Sequence, residues 1–376
     1  MPSRILALAC CLGSFGAATH ANEPPAVAEN VIVVTLDGFR HQEFFGGADE
    51  ALIDAKDGGV RDVAGLKGEF WRDSPEGRRA ALLPFFWGTI AEKGQVFGDL
   101  SRKSPARLTN GKKFSYPGYS EMFCGFGDDR IDSNAKRPNP NRSVLEFLDE
   151  RPAYRDRVAA FCSWDVFPFI FRTSENRLKV HAGWSPIVDG TPTDRQRAAN
   201  LMIEHLPRYW PDCTYDAIIM EAAREHLIRH KPRVLYIGLG ETDEWAHGRR
   251  YDLYLRSAHQ ADRFLAGLWQ TIQEMPEYRD RTALILTTDH GRGGTGKDWT
   301  DHGAKVEGAE HIWIALMGKG IPPLGVREGV ESTQSQVAST IAQLIGEDFV
   351  AASPKSAPPL PILAPAQAGS TGNPGR

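Results

Sequence analysis

Five short apolar runs, each followed by polar residues, constrain the fold of this 376-residue chain more than any other feature. They are rich in residues that favour β structure and occupy 31–36, 157–162, 232–237, 282–288 and 312–317. Continuous apolar runs of this length are typical of strands that are buried on both faces of a parallel sheet. Helical patterns occupy 214–230 and 251–275. The sequence therefore predicts an α/β fold, a three-layer αβα sandwich around a central, mostly parallel sheet.

Three other helices and one short strand are predicted from local signals. The apolar residues of 71–93 suggest a helix, and 96–100 suggests a strand after it. A helix is expected to begin near Pro117 and to end near Gly125, because proline suits the first turn and glycine the position after the last. Ser143 and Glu146 match a capping box, which predicts another helix start.

Composition excludes some classes of protein. The chain is 41% hydrophobic and 24% charged, which is ordinary for a globular protein, and its net charge is −4. No basic block is present, so nothing suggests nucleic-acid binding. The oligomeric state stays unknown at this stage.

The chain is predicted to begin with a signal peptide, residues 1–21, since Arg4 precedes an apolar run and Thr19-His20-Ala21 suits cleavage. The run is too short to span a membrane, so we expect a periplasmic or secreted protein. One domain is predicted over 22–350, in which the aromatic segment 164–210 is a lid, an insert or a packed excursion. Residues 351–376 are rich in proline, alanine, glycine and serine, which predicts a disordered tail.

Cleavage would leave Cys124, Cys162 and Cys213, whose spacing fits no thiolate metal site. Buried, small hydrophobic roles suit Cys124 and Cys162 better.

Carboxylates and imidazoles follow the predicted strands, and the working residues of open α/β sheets lie at the carboxyl ends of strands. The candidates are Asp37, Asp243, His247, Asp289, His290 and His302. Taken singly, each has a structural reading, such as a turn cap for Asp37 or a helical surface pair for Asp243 and His247. As a set they suit zinc or another borderline divalent ion. Six ligands are too many for one catalytic zinc, but they suit two ions that clamp an in-line displacement at phosphorus.

The ordered motifs resemble the alkaline phosphatase superfamily, and within it the nucleotide pyrophosphatase/phosphodiesterase branch. They run from residue 31 to about 318, and the match between them is loose. The motifs are Asp37-Gly38, Ser115-Tyr116-Pro117, Asp243 with His247, Asp289-His290-Gly291 and His302-Gly303. In that branch a threonine nucleophile stands immediately before Phe-Pro, and Ser115 takes its position here. The resemblance implies an alkaline phosphatase-like fold.

The resemblance also implies roles for individual residues. One zinc would be held by Asp37, Asp289 and His290, with Ser115 as its reactive fourth ligand. The second zinc would be held by Asp243, His247 and His302; His311 lies nearby but lacks the His-Gly context. An asparagine of the family donates to the phosphoryl oxygens, and Asn134 is the best match.

The implied activity is hydrolysis of a small phosphate monoester or diester through a covalent phosphoserine at Ser115. Backbone N–H groups of the turn 116–119 are expected to help Asn134 hold the phosphoryl oxygens. Aromatic side chains are expected to shape the leaving-group pocket; these are Tyr119, Trp164, Phe167 and Trp245.

Departures from the family leave the substrate open. Tyr119 stands where the family usually has histidine, and no nucleotide-binding signature is identified. A sulfatase that uses formylglycine needs C/S-x-P-x-R, which Ser115-Tyr116-Pro117-Gly118-Tyr119 does not match. A phosphomutase would need a cap domain, for which 164–210 is short. Alternatives are a phosphonate or sulfate ester hydrolase with the same metals and a non-catalytic binding protein on this scaffold.

Overall fold

The computed structural model describes residues 28–188 and 190–362. The predicted signal peptide therefore lies outside the described residues. Within the described ranges, no helix combines the length and the apolar character that crossing a bilayer requires.

The strands form one large sheet and one small sheet. Their bounds are β1 (Asn30–Leu36), β2 (Gly94–Phe97), β3 (Ala106–Arg107), β4 (Val158–Cys162), β5 (Lys179–Ala182), β6 (Val234–Leu239), β7 (Thr282–Thr287), β8 (His311–Ile312), β9 (Ile314–Gly318), β10 (Gly325–Val326) and β11 (Ser332–Thr333). The large sheet has eight strands in the order β10-β2-β9-β7-β1-β6-β4-β5, and the small one has the order β11-β3-β8.

The large sheet is mostly parallel. β1 pairs in parallel with both β6 and β7, and β4 continues the parallel run to β5. β9 is antiparallel to its neighbours β7 and β2. Because β7, β1 and β6 are adjacent and parallel, their carboxyl ends meet at one edge of the sheet.

Helices cover both faces. Their bounds are α1 (His41–Gly46), α2 (Val63–Phe70), α3 (Pro75–Leu82), α4 (Ala91–Lys93), α5 (Ser115–Cys124), α6 (Val144–Asp149), α7 (Phe167–Ile170), α8 (Asp194–His205), α9 (Asp216–His230), α10 (Glu241–His247), α11 (Tyr251–Glu274), α12 (Gln336–Leu344) and α13 (Phe349–Ala352). The capping box predicted at Ser143 and Glu146 is present at the start of α6.

The two faces of β1 belong to two separate hydrophobic cores. Ile32 and Val34 pack in one core together with residues of α9 and α11. Val31 and Val33 pack in the other together with residues of α5, α6 and α12. Since period-two alternation sends neighbouring side chains to opposite faces, a strand apolar at every position needs cover on both. The prediction of a three-layer αβα sandwich with a mostly parallel sheet is confirmed.

The prediction of one helix over 71–93 is wrong. Trp71 is the residue that follows α2, and α3 begins at Pro75. Pro84 lies between α3 and a π-helical turn at Phe86–Ile90, which leads into α4. Proline has no N–H and clashes with the preceding turn, so the apolar residues around it belong to separate short elements.

The segment 164–210 is integrated into the sandwich. It supplies α7, α8 and the edge strand β5, which pairs with β4. Tyr209 and Trp210 pack against Trp245 of α10, with ring centroids 5.3 and 4.6 Å away. The segment is therefore packed into the fold, and its last residues contact α10.

The boundary predicted at residue 350 needs correction. Leu360 and Ile362 are buried, and Gln95 Nε2 donates a hydrogen bond to the Ile362 carbonyl at 2.9 Å. Two isolated apolar residues among prolines give no periodic pattern, which is why composition predicted a tail from 351 onwards. The packed chain extends at least to Ile362, and 363–376 lie outside the described residues.

Candidate metal centre

The six predicted ligands lie at the shared carboxyl edge of three neighbouring strands. Asp37 directly follows β1, and Asp289 and His290 follow β7. Asp243 and His247 lie on α10, which begins just after β6. The structure divides the six into two groups, each with its ligand atoms within 4.8 Å of one another.

The first group is Asp37, Asp289 and His290, all buried. His290 Nε2 lies 3.4 Å from Asp37 Oδ1 and 3.5 Å from Asp289 Oδ2. The same two carboxylate oxygens are buried and have no hydrogen-bond partner among the described residues. A buried carboxylate oxygen without a partner is costly, so the site is built for a cation.

The second group is Asp243, His247 and His302. His247 Nε2 lies 3.2 Å from Asp243 Oδ2 and 3.0 Å from His302 Nε2. This group is more open than the first, since the His247 side chain is 48% exposed. A metal site that reacts with substrate needs such an open position.

The pKa values of several side chains in the two groups are strongly shifted. Burial, followed by the charge of Asp243, raises the pKa of Asp37 well above its usual range. Burial, followed by the charge of Asp37, does the same to the pKa of Asp289. Three acidic side chains crowded in one place require positive charge, and mixed oxygen and nitrogen donors without thiolates fit divalent zinc.

Burial also acts on the second group, with a different outcome. It lowers the pKa of His302 to about 2, with a further contribution from His290. The neutral imidazole that results is the form that binds metal. For Asp243, burial would raise the pKa, but Arg292 and His247 outweigh it and hold the pKa well below its usual range.

Gly38 makes the approach of the two groups possible. Its φ of 57° lies in the left-handed region, and an added Cβ would lie 2.7 Å from Asp243 Oδ1. Its N–H donates to Asp289 Oδ1 at 3.0 Å. Glycine is required here both by the turn and by the space.

Ser115, the predicted nucleophile, is the first residue of α5 and is buried. Its Oγ lies 3.3 Å from His290 Nε2. Gly118, on the same first turn, has no room for a side chain, because a Cβ would lie 2.4 Å from the Asp289 carbonyl oxygen. Close packing of α5 on the end of β7 thus places the Ser115 hydroxyl beside the first group.

The expected role of the backbone N–H groups of 116–119 needs correction. The Tyr116 N–H donates to Asn134 Oδ1 at 3.0 Å, and the Gly118 N–H donates to the Phe114 carbonyl. Pro117 has no N–H, so the front of this turn offers little to an anion. Asn134 remains available instead: its Oδ1 is engaged, which leaves Nδ2 as the donor.

Beside these residues lies a cavity of about 270 Å³. It is lined by Asp37, Ser115, Asn134, Lys136, Trp164, Val166, Asp212, Cys213, Gly240, Asp243, Glu244 and His247. Predicted site residues from both groups therefore share one cavity with the Ser115 hydroxyl. A larger groove between α9 and α11 lies apart from all of them.

Only one of the four aromatic residues expected to shape this pocket lines it, namely Trp164. Tyr119 and Phe167 pack against each other in the core, with centroids 4.7 Å apart. Trp245 packs on Trp210. His311 joins neither ligand group and instead lies against His41, with centroids 5.4 Å apart.

Two functional contacts were missed by the sequence reasoning. The buried guanidinium of Arg292 contacts the carboxylate of Asp243. The Tyr119 hydroxyl donates to Asp37 Oδ2 at 2.9 Å. Arg292 stands directly after the Asp289-His290-Gly291 motif, and this proximity was the one signal that could have identified it.

The chain was compared with models of protein families and with the sequences of curated proteins. A model of the family described as the Metalloenzyme superfamily matches residues 211–348, which contain five of the six predicted ligands but not Asp37 or Ser115. This description implies metal ions. No curated protein sequence matches the chain significantly.

Solved structures of low sequence identity share the architecture. The alkaline phosphatase PafA is 9% identical, with a TM-score of 0.55 over 85% of this chain and 96% of that one. The lipoteichoic acid synthase LtaP from Listeria monocytogenes is 10% identical, with a TM-score of 0.53 over 89% and 76%. Ps i-CgsB in complex with k-i-k-neocarrahexaose is 13% identical, with a TM-score of 0.53 over 88% and 75%.

These likenesses show an alkaline phosphatase-like fold. Proteins of different activity share it, so the fold does not select a reaction. The nucleotide pyrophosphatase/phosphodiesterase branch stays a prediction.

Proposed function

We propose that this protein is a metal-dependent hydrolase of phosphate esters, monoester or diester, that acts through a covalent phosphoserine at Ser115. The observation that carries the proposal is that members of both three-ligand groups, Asp37, Asp243 and His247, line one cavity together with Ser115. Ligand groups of this composition suit two divalent ions, most simply Zn²⁺. The ions would polarise the phosphoryl group and lower the pKa of oxygens bound to them.

Ser115 is proposed to be the nucleophile. Its Oγ–P bond forms while the P–O bond to the leaving alcohol breaks, and the hydroxyl proton passes to solvent. Water then cleaves the phosphoserine, which restores the serine and releases the phosphate product. Ser115 lies at the start of α5 against His290, which fixes its hydroxyl in one position. Such positioning of a reacting group removes a large part of the activation barrier.

Asn134 is proposed to bind the phosphoryl oxygens through Nδ2. The hydrogen bond from the Tyr116 N–H fixes the orientation of its amide relative to Ser115. A donor that is already in place when charge develops stabilises the transition state.

Phosphonate or sulfate ester hydrolysis with the same metals is the alternative. The residues after Ser115 lack the arginine that the formylglycine sulfatase motif requires, which favours phosphate esters over sulfate esters. A non-catalytic binding protein is less well supported, because both ligand groups are complete. The proposed location, periplasmic or secreted, rests on residues 1–21 of the sequence alone.

Metal analysis of the purified protein followed by a substrate panel tests the proposal. The panel compares p-nitrophenyl phosphate, bis-p-nitrophenyl phosphate, a p-nitrophenyl phosphonate ester and p-nitrophenyl sulfate. We expect zinc in the protein and the highest kcat/KM for one of the two phosphate esters. A protein that binds no divalent metal, or that cleaves only the sulfate, would overturn the proposal.

A further inference from the structure

The cavity beside Ser115 has more acidic groups than metal binding requires. Asp37 and Asp243 belong to the two ligand groups, but Asp212 and Glu244 line the same cavity and belong to neither. Lys136 is the one basic residue of the lining, apart from the ligand His247. Its ammonium is already paired with Asp165 at 2.7 Å, so it leaves the surplus of negative charge uncompensated.

Asp212 and Glu244 both line the cavity beside Asp243 and His247 of the second ligand group. The guanidinium of Arg292, the buried cation of this site, contacts the carboxylate of Asp243. The Asp212 carboxylate accepts a hydrogen bond of 3.4 Å from Trp164 Nε1, so an aromatic ring stands beside it. Carboxylates and an aromatic ring together favour an organic cation.

Asp212 and Glu244, called the acidic wall below, lie where the leaving group of the substrate is expected. In an in-line displacement the leaving group lies opposite the attacking Ser115 oxygen. Glu244 lies on α10 between Asp243 and His247, the two ligands of the open metal group that line the cavity. Asp37, which is buried and belongs to the first ligand group, lines the same cavity, so substrate would extend from Asp37 and Ser115 towards Glu244.

From this arrangement we infer that the cavity selects phosphoesters whose leaving alcohol carries an ammonium group, as in esters of amino alcohols. The inference rests on the proposed phosphoesterase function and adds its substrate class. Asp212 and Glu244 bind the ammonium and Trp164 packs against it, while Asn134 binds the phosphoryl group. Anionic leaving groups, such as phosphorylated sugars or nucleotides, are repelled by the same wall.

Three alkyl monoesters of matched size test the inference on the metal-loaded protein. O-phosphoethanolamine carries an ammonium, propyl phosphate carries a methyl group in its place, and phosphoglycolate carries a carboxylate. Phosphate release gives kcat/KM for each. Since the three alcohols differ in intrinsic reactivity, the decisive quantity is how the ratio between substrates changes from wild type to variant.

Two variants, Glu244→Gln and Asp212→Asn, each replace one carboxylate of the acidic wall by a neutral amide. We expect each to lower kcat/KM for O-phosphoethanolamine by roughly ten- to a hundred-fold, the range that one charge-assisted hydrogen bond provides, with propyl phosphate unchanged. Phosphoglycolate should improve. Glu204→Gln, which removes the same charge from an exposed position of α8, is the matched control and should change none of the three.

Binding gives a readout that is independent of turnover. In Ser115→Ala protein, calorimetry should show that 3-aminopropylphosphonate, the non-hydrolysable analogue, binds roughly ten-fold more tightly than butylphosphonate. Addition of Glu244→Gln should abolish this preference. If the two phosphonates bind equally, or if Glu244→Gln lowers activity on all three esters together with the metal content, the inference is overturned.

Failure of the proposed function looks different, because then none of the phosphate esters is cleaved, whatever its leaving group. The amino alcohol ester could be a soluble molecule or a lipid headgroup. Release of ethanolamine from glycerophosphoethanolamine, compared with release from phosphatidylethanolamine vesicles, distinguishes these two sources.

Discussion

The Tyr119 hydroxyl donates a hydrogen bond to Asp37 Oδ2 at 2.9 Å, from inside the helix that Ser115 begins. The other carboxylate oxygen, Asp37 Oδ1, has no hydrogen-bond partner among the described residues and faces His290. One oxygen is thus fixed by the protein, and the other is left for a metal. Such outer hydrogen bonds orient ligands and tune their affinity.

Tyr119→Phe should therefore weaken metal binding at the buried group. The aromatic packing against Phe167 is kept, and only the hydroxyl is lost. We expect the affinity of this buried group for added Zn²⁺ to fall by roughly ten- to a hundred-fold, measured by competition with a chromophoric chelator. Tyr116→Phe is the control, since that hydroxyl donates to the Arg137 carbonyl and touches no ligand. Equal affinity in both variants would show that Tyr119 does not orient Asp37.

The site could be predicted from the sequence to the extent that its residues follow strands. Asp37 and Asp289 stand directly after β-branched runs, and adjacent parallel strands bring their carboxyl ends together. The same runs predicted the layers, because a strand apolar at every position must be covered twice. The types of the candidate ligands and the positions of the strands before them could therefore both be predicted from the sequence.

Contacts between residues far apart in the sequence could not be predicted. Tyr119 and Asp37 meet only because α5 packs on the strand ends, and nothing local to either residue indicates it. Pro84 was overlooked inside an apolar pattern, so one helix was predicted where the chain forms several elements. Leu360 and Ile362 are buried by the rest of the fold, which composition does not reveal.

Ser115→Ala should abolish turnover and leave the metals in place. Loss of the nucleophile is expected to lower kcat for p-nitrophenyl phosphate by roughly three orders of magnitude or more. Metal content, measured on the same preparation, should match wild type. Ser120→Ala is the matched control, because Ser120 is also buried on α5 but accepts a hydrogen bond from Asn139 and does not line the cavity. Activity that survives in Ser115→Ala would exclude the phosphoserine route.

Gly118→Ala should impair catalysis without unfolding the protein. The new Cβ would lie 2.4 Å from the Asp289 carbonyl oxygen, so the start of α5 must move away from the end of β7. Since a displacement of about 1 Å at a reacting group costs roughly a hundred-fold in rate, kcat should fall by about that factor. Gly267→Ala on α11 is the control; its Cβ meets nothing within 4 Å, so activity should be unchanged and the helix slightly more stable. Wild-type kcat in Gly118→Ala would show that the helix tolerates the shift.

His181 should make the protein less stable in mild acid. It lies on the edge strand β5 with Nε2 shielded from solvent and without a hydrogen bond among the described residues. Burial lowers the pKa of this imidazole to about 4, against about 6.5 when it is exposed in the unfolded chain. Between these values only the unfolded chain binds the proton. The free energy of unfolding therefore falls as the pH falls from about 6.5 to about 4.

His181→Gln should remove this part of the pH dependence. From about pH 6.5 to about pH 5, the free energy of unfolding of the wild type should fall by up to about 2 kcal/mol more than that of the variant. Urea unfolding of metal-free protein measures it, since chelation removes the separate effect of acid on metal binding. His205→Gln removes an imidazole at an exposed position of α8 and is the control, which should follow the wild type. Parallel pH profiles for the wild type and His181→Gln would mean that the β5 edge opens and lets His181 protonate in the folded state.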